Sequence, residues 1–167
     1  MNIVIERRHR NLHSIDGALR INGSPVICHT AEATATALPS GTYPVIIHRC
    51  KHYRRKMPCL VIDDQVKQQM ENRSGRAATP MSATEHDCSS CPKMEYVCHN
   101  STLSLYCPMI KIGNGVHNRN DGSIIIGERI IWGCMKHPVR HFNRLIDRLD
   151  KAQNRGETIT LTIEDRI

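Results

Sequence analysis

Alternating apolar and polar residues predict short β-strands in the first 62 residues of the chain. Ile3 and Ile5 alternate along one run, and Leu19 and Ile21 along the next. The Asn22-Gly23 dipeptide that follows the second run is typical of a tight hairpin turn. The remaining apolar runs of this part are Pro25 to Cys28, Val45 to Ile47 and Cys59 to Ile62. The pattern therefore predicts a β core that begins near the N-terminus.

The end of the chain changes to helical spacing. Pro138 suits a first helical position, with His137 as the N-cap and Gly156 after the end of the helix. One apolar stripe follows at helical spacing: Val139, Phe142, Leu145, Ile146 and Leu149. Residues 158 to 164 then alternate strictly, which predicts a final strand. The expected fold class is α+β, with a mainly antiparallel β core and one C-terminal helix.

Residues 63 to 108 are polar, then rich in small residues, and then rich in cysteine. One short helix is expected from Asp64 to about Asn72. This segment has too few apolar residues to cover itself, so it is interpreted as an insertion within a single domain spanning residues 1 to 167.

The composition narrows the expected class of protein further. Apolar residues make up 40% of the 167 residues, with a single Phe and a single Trp, which predicts an aliphatic core. The first apolar run, Ile3 to Ile5, has only three residues before the first charges, which is too short for a secretory signal, and no later run is long enough for a membrane span. The pattern predicts cytoplasmic synthesis and no membrane partner, so the eight cysteines are interpreted first as thiols or metal ligands.

The net charge of +7 is concentrated in two basic runs, residues 7 to 10 and 48 to 56. Binding of nucleic acid would favour exposed aromatic residues among the cations, and only Tyr53 is present there. We expect solvated strand ends or loops, with weak and non-specific polyanion binding.

A polar, glycine-containing loop from Gly113 to Gly122 joins two apolar runs, Met109 to Ile112 and Ile124 to Ile126. Loops carried by rigid strands often bind ligands. The candidate binding residues are Gly113, Asn114, His117, Asn118, Arg119, Asp121 and Gly122. Gly113, Asn114 and Gly122 are expected to serve backbone geometry, because they tolerate positive φ angles.

The order of several motifs resembles an uncharacterised family that is frequent in phage and prophage genomes. The matching features are the Gly17-x-Leu19-x-Ile21-x-Gly23 hairpin, the Pro39-x-Gly41-x-Tyr43 turn, the Met57-Pro58-x-Leu60 run, Gly113-Asn114, Gly122-Ser123-Ile124 and Gly127. Members of that family read I-H-x-G-N, a short acidic loop, then G-C-I-x-x-G. The same frame is similar, more distantly, to the catalytic domain of the L,D-transpeptidases, which cross-link peptidoglycan through an acyl-cysteine. The resemblance does not extend to residues 63 to 108.

The resemblance also implies that the thiol chemistry is lost. Ser123 stands at the family's cysteine position and Lys111 at its histidine position, and the loop between them is one residue longer. A serine hydroxyl needs a neighbouring base, for which Lys111 or His117 is the candidate. The expectation is that Ser123 is a turn residue bonded to its local backbone. Cys134 is a further candidate nucleophile, although its apolar neighbours Ile130 to Gly133 predict a buried thiol.

The cysteines of the insertion have spacing typical of metal ligands. A C-x-x-C pair and two later cysteines offer four soft ligands to a tetrahedral zinc ion: Cys88, Cys91, Cys98 and Cys107. His86 or His99 is an alternate ligand. Disulfides, free thiols and an iron–sulfur cluster remain the alternatives.

The leading hypothesis is a phage- or prophage-derived binding or structural module, related to cell-wall-acting proteins and without catalysis. Its expected partner is a cell-wall peptide or glycan, in a virion or at a host envelope. One alternative is an acyl transferase or hydrolase acting on peptidoglycan peptides through Ser123 or Cys134. Another is a zinc-containing nucleic-acid-binding protein.

Overall fold

A computed structural model describes residues 1–50, 53–74, 108–116 and 122–167 of the chain. The described part contains nine strands and two helices. In chain order they are β1 (Asn2–Arg10), β2 (Ser14–Ile21), β3 (Cys28–Ala33), β4 (Gly41–Cys50), β5 (Arg55–Leu60), α1 (Asp64–Ser74), β6 (Ile110–Lys111), β7 (Ile124–Ile131), β8 (Cys134–Lys136), α2 (Pro138–Asn154) and β9 (Thr160–Asp165). The predicted α+β class, with strands first and a C-terminal helix, is confirmed. The likeness of this core to the L,D-transpeptidases stays a prediction.

The strands form one curled sheet in the order β5-β4-β9-β1-β2-β3-β7-β6, and β8 pairs with β7. The two ends of this order approach each other, because the Leu60 amide donates to the Pro108 carbonyl at 2.9 Å and Cys59 bridges to Met109. Most neighbouring strands are antiparallel, as predicted. Two pairs are parallel: β1 with β9, and β6 with β7.

The β2–β3 hairpin turns where the sequence predicted. Asn22 and Gly23 take φ angles of 48° and 73°, which are the two positive values that a type I′ turn requires. The Ser24 amide closes the turn onto the Ile21 carbonyl at 2.9 Å.

The main core joins the predicted strands and the C-terminal helix. Ile3, Leu19, Leu60 and Leu161 are all fully buried, and they belong to one apolar cluster with Phe142 of α2. This agrees with the expectation that early strands, final strand and helix share one core. The single domain with an insertion at 63–108 stays a prediction, since much of that range lies outside the described residues.

Helix α2 begins at Pro138, after an N-cap at His137, as predicted. His137 has a φ of 52° and makes no side-chain capping bond. The prediction that Val139 belongs to the buried apolar stripe is wrong, because this residue is 52% exposed. Ala152, which was not in the predicted stripe, is buried. Val139 lies in the first turn of the helix, whereas Ala152 lies in the last turn.

The first basic run contains a buried cation, which contradicts the expectation of a solvated strand end. The Arg7 side chain is 1% exposed and forms a two-pronged contact with Glu32, at 3.0 Å from Nε and 2.6 Å from Nη2. Asp165 accepts from Nη1 at 3.2 Å and the Leu38 carbonyl from Nη2 at 2.6 Å. Burial alone would lower the pKa of Arg7, but the charge and hydrogen bonds of Glu32 raise it above its ordinary value. Arg7 therefore ties β1, β3 and β9 together.

Candidate functional site

Lys111 and Ser123 lie where the two-residue strand β6 pairs in parallel with the start of β7. In the β6–β7 register Ile110 pairs with Ile124, and Lys111 pairs with Ile125. Ser123 immediately precedes β7, and its Oγ accepts from the amide of Met109, two residues before Lys111. Lys111 and Ser123 thus lie beside the same parallel pairing, and we call this pair the sealed corner.

The Ser123 hydroxyl is closed off from solvent. The residue is 2% exposed, and its Oγ accepts a hydrogen bond from the Met109 amide at 3.2 Å. Ser123 is therefore a buried residue, and its hydroxyl is bonded to more than its local backbone. The hydroxyl satisfies a donor on a neighbouring segment fourteen residues away, and parallel pairing begins directly beyond this contact.

Lys111 is also almost fully buried, with 4% of its surface exposed. Its ammonium lies 5.3 Å from the centroid of the Tyr53 ring, within the range of a cation–π contact. Tyr53 packs against the main apolar core, so it is not a free stacking platform for a base. The one aromatic residue of the second basic run is thus used inside the molecule.

Gly122 has the predicted positive φ angle, whereas Gly113 and Asn114 do not. Its φ is 74°, and a Cβ there would lie 2.6 Å from the Met70 methyl of α1. Gly113 and Asn114 are outside the positive-φ region, which corrects that prediction. The Asn114 carbonyl instead accepts from the Met135 amide at 2.9 Å, which holds the start of the loop against β8.

The other predicted site residues lie outside the described residues. These are His117, Asn118, Arg119 and Asp121 of the loop, and the metal candidates Cys88, Cys91, Cys98, Cys107, His86 and His99. Among the residues that the structure describes, no group of three or more His, Cys, Asp or Glu side chains is arranged for a metal ion. The zinc site stays a prediction.

Cys134 is half-buried, so the prediction of a buried thiol is wrong. Ile131 is its cross-strand partner and is 64% exposed, and Ile130 and Trp132 are 60% and 48% exposed. A thiol of a different kind is Cys28 on β3, where burial raises the pKa to about 12. At neutral pH that thiol stays protonated, and it is therefore a poor nucleophile.

A groove that the sequence did not indicate lies beside the Pro39-x-Gly41-x-Tyr43 turn. It has a volume of about 570 Å³, and residues 39–44 form one wall while the other wall is formed by Val61 to Asp64, Val66 and Gln69. The Tyr43 hydroxyl donates to the Pro39 carbonyl at 2.6 Å and fixes the first wall. Asp63 fixes the second wall, because its Oδ1 accepts from the Val66 amide at 2.8 Å at the start of α1. We call this the β4 groove.

The β4 groove contains a strand edge. The Val45 amide donates to the Ile159 carbonyl toward β9, and alternation then turns the amide and carbonyl of Thr42 the opposite way, toward the groove. β5 pairs with β4 only from Val45 onward. The exposed carboxylates of Asp63 and Asp64 lie along the same groove. A free backbone unit beside two carboxylates has no recognisable motif in a sequence.

Comparisons with protein-family models, with curated proteins and with solved structures find no match to this chain. No helix in the described ranges is long and apolar enough to cross a membrane.

Proposed function

We propose that the chain is a phage- or prophage-encoded module that binds a cell-wall peptide without catalysing a reaction on it. The observation that carries the proposal is the burial of Ser123, which stands where the resembling families place their nucleophile. The residue is 2% exposed, and its Oγ accepts a hydrogen bond from the Met109 amide, which supports a structural role.

The chemistry of acyl transfer explains why this burial matters. An acyl nucleophile must approach a substrate carbonyl and must be activated by a base. Lys111 lies beside the same strand pairing and is the candidate base, but it is only 4% exposed. A substrate carbonyl would have to enter a corner that is closed on both residues. The sealed corner therefore supports a structural role over a catalytic one.

The β4 groove supports peptide binding. An extended peptide pairs with a strand edge through main-chain hydrogen bonds, and Thr42 presents its amide and carbonyl there. Asp63 and Asp64 add negative charge, which favours a ligand that carries a free amine. The groove volume of about 570 Å³ falls within the usual range for small ligands.

A pair of neighbouring substitutions tests the groove. Gln69 lines it, whereas Gln68 is exposed on the same helix and does not. Gln69→Trp should fill part of the groove and weaken binding to soluble peptidoglycan peptides about tenfold or more, while Gln68→Trp should leave binding unchanged. Titration calorimetry measures both variants against wild type. Equal binding by all three proteins would place the ligand elsewhere, and no binding by wild type would overturn the proposed function.

We also propose that the cysteine-rich segment holds one structural zinc ion. The support is the spacing of Cys88, Cys91, Cys98 and Cys107, with His86 or His99 as an alternate ligand. Metal analysis of reduced, freshly purified protein should find close to one zinc per chain. Replacing Cys88 and Cys91 by Ser should remove it, and a wild type without zinc contradicts the proposal.

For nucleic acid we propose only weak, non-specific binding with steep salt dependence. The first basic run has Arg7 buried in an ion pair, and Tyr53 of the second run packs inward. Both features reduce the groups available for contacts with phosphates or bases. Sequence-selective binding at physiological salt, measured by fluorescence anisotropy, would contradict this.

A further inference from the structure

Four large apolar side chains are exposed at two adjacent turns of the sheet. Leu12 of the β1–β2 turn is 84% exposed, and Ile130, Ile131 and Trp132 at the β7–β8 turn are 60%, 64% and 48% exposed. We call these four residues the apolar tip. Exposed large apolar side chains that gather in one place typically mark an interaction surface.

The two turns are joined into one rigid unit. The Gly133 amide donates to both carboxylate oxygens of Asp16, at 2.9 and 3.1 Å, and Asp16 is fully buried on β2. Asn11 fixes the other turn, because its Oδ1 accepts from the amides of His13 and Ser14 at 2.8 and 2.7 Å. Neither turn needs to rearrange to present its apolar side chains together.

Trp132 contacts two neighbours. The His9 ring stacks on it at 3.9 Å between centroids, and the Arg129 guanidinium lies 4.4 Å from its centroid. These two contacts fix the orientation of the indole, while 48% of the residue stays exposed.

Cations flank the apolar tip. Arg129 lies over the indole, and Arg8 and Arg10 are exposed on either side of His9 on β1. Arg8 also contacts Glu6 at 2.6 Å. A second copy of the chain meeting this surface symmetrically would bring these cations against each other, which is unfavourable. An anionic partner fits the charge instead.

We propose that the apolar tip binds the surface of an anionic lipid bilayer. The apolar side chains are carried by two turns and are 48% to 84% exposed, so they can enter a headgroup layer without a matching pocket in a partner. Ile130 and Ile131 would reach the boundary of the acyl chains, Trp132 would lie at the interface, and the arginines would contact lipid phosphates. This goes beyond the proposed function and does not depend on it, since the β4 groove is a separate surface. It also departs from the expectation of no membrane partner, which rested on the absence of a long apolar run.

The chain carries its own reporter for this contact, because Trp132 is its single tryptophan. Titration with vesicles of phosphatidylglycerol and phosphatidylcholine in equal parts should shift the emission of Trp132 to shorter wavelength as the indole leaves water. Vesicles of phosphatidylcholine alone should produce a much smaller shift, and added salt should weaken the binding to the anionic vesicles.

A matched pair of substitutions isolates the surface. Ile131 is 64% exposed at the tip, and Ile167 is 62% exposed at the end of the chain. Ile131→Asp should lower the vesicle partition coefficient about tenfold or more, whereas Ile167→Asp should leave it unchanged. Denaturant unfolding of both variants checks that the fold is retained, which is expected because both side chains are exposed.

Three results would overturn the proposal. The first is an emission spectrum that anionic vesicles do not change. The second is vesicle binding that Ile131→Asp does not weaken, which indicates attraction through the basic surface alone. The third is concentration-dependent self-association that Ile131→Asp removes in the absence of vesicle binding, which indicates a second copy as the partner.

Discussion

The two ends of strand β7 depart in opposite ways from the usual rule that polar residues are exposed and apolar residues are buried. At its start Ser123 is 2% exposed, and Ile124 pairs with Glu32, which is 1% exposed against Arg7. At its end Ile131 is 64% exposed beside Trp132. Polar groups are buried at one end because each has a hydrogen-bond partner there, and apolar groups are exposed at the other because the turn extends past the neighbouring strands. Burial along this strand is therefore set by its neighbours and not by the character of each side chain.

The largest expected effect lies at the polar end. Arg7→Leu leaves the Glu32 carboxylate buried without its partner, which should cost about 3 to 5 kcal/mol of unfolding free energy. The neighbouring Arg8→Leu is the control, since Arg8 is 47% exposed and should change stability by less than about 1 kcal/mol. Urea denaturation measures both. The double substitution Arg7→Leu with Glu32→Leu should recover much of the loss, and a small effect of Arg7→Leu alone would show that the ion pair is dispensable.

Two isoleucines of β7 give the next largest contrast. Ile126 is fully buried in the main core, and Ile131 is at the exposed end of the same strand. Ile126→Ala should cost about 2 to 5 kcal/mol, whereas Ile131→Ala should stay within about 0.5 kcal/mol. Thermal and urea unfolding of both variants would measure the difference. Equal costs would mean that the turn is covered in solution.

Ser123→Ala should have a moderate effect on stability. It leaves the Met109 amide without its acceptor in a buried place, which should cost about 1 to 3 kcal/mol. Ser123→Thr is the control, because it keeps the hydroxyl. A much smaller cost for this variant than for Ser123→Ala would assign the loss of stability to the hydrogen bond and not to a general disturbance of the corner. If the alanine variant unfolds at the same urea concentration as wild type, the hydrogen bond contributes nothing to stability.

The smallest expected effect concerns acid. Partial burial alone would raise the pKa of Asp165, but the bond from Ser40 and the charge and hydrogen bond of Arg7 hold it below its ordinary value. A carboxylate with a lowered folded pKa stabilises the protein above its unfolded pKa of about 3.9, and this contribution is lost as the pH falls through the folded value. Asp165→Asn should therefore lower stability at neutral pH and flatten its decline in acid. An unchanged acid profile would contradict this role for Asp165.

Local patterns predicted the elements that depend on local chemistry. The Asn22-Gly23 turn, Pro138 at the start of α2 and the class of the fold all follow from backbone preferences and short-range periodicity. Helix α1 also begins where expected, at Asp64.

Features set by long-range pairing were not predictable in this way. Arg7 is buried because β1 pairs with β9, and Glu32 and Asp165 meet it from positions 25 and 158 residues away. Ile131 is exposed because the β7–β8 turn projects, although its neighbours in sequence are apolar. The sealed corner depends on parallel pairing of β6 with β7, which a pattern of apolar runs does not specify. The motif frame placed Lys111 and Ser123 near each other, but it did not indicate that both are closed to solvent.

The most direct test of a structural Ser123 is a turnover assay on peptidoglycan peptides, made in parallel with wild type and Ser123→Ala under conditions where both remain folded. The account predicts no release or transfer of peptide by either protein, with both still binding the peptide through the β4 groove. Turnover by wild type that Ser123→Ala abolishes, while the variant remains folded under the assay conditions, would contradict the account and make Ser123 a nucleophile.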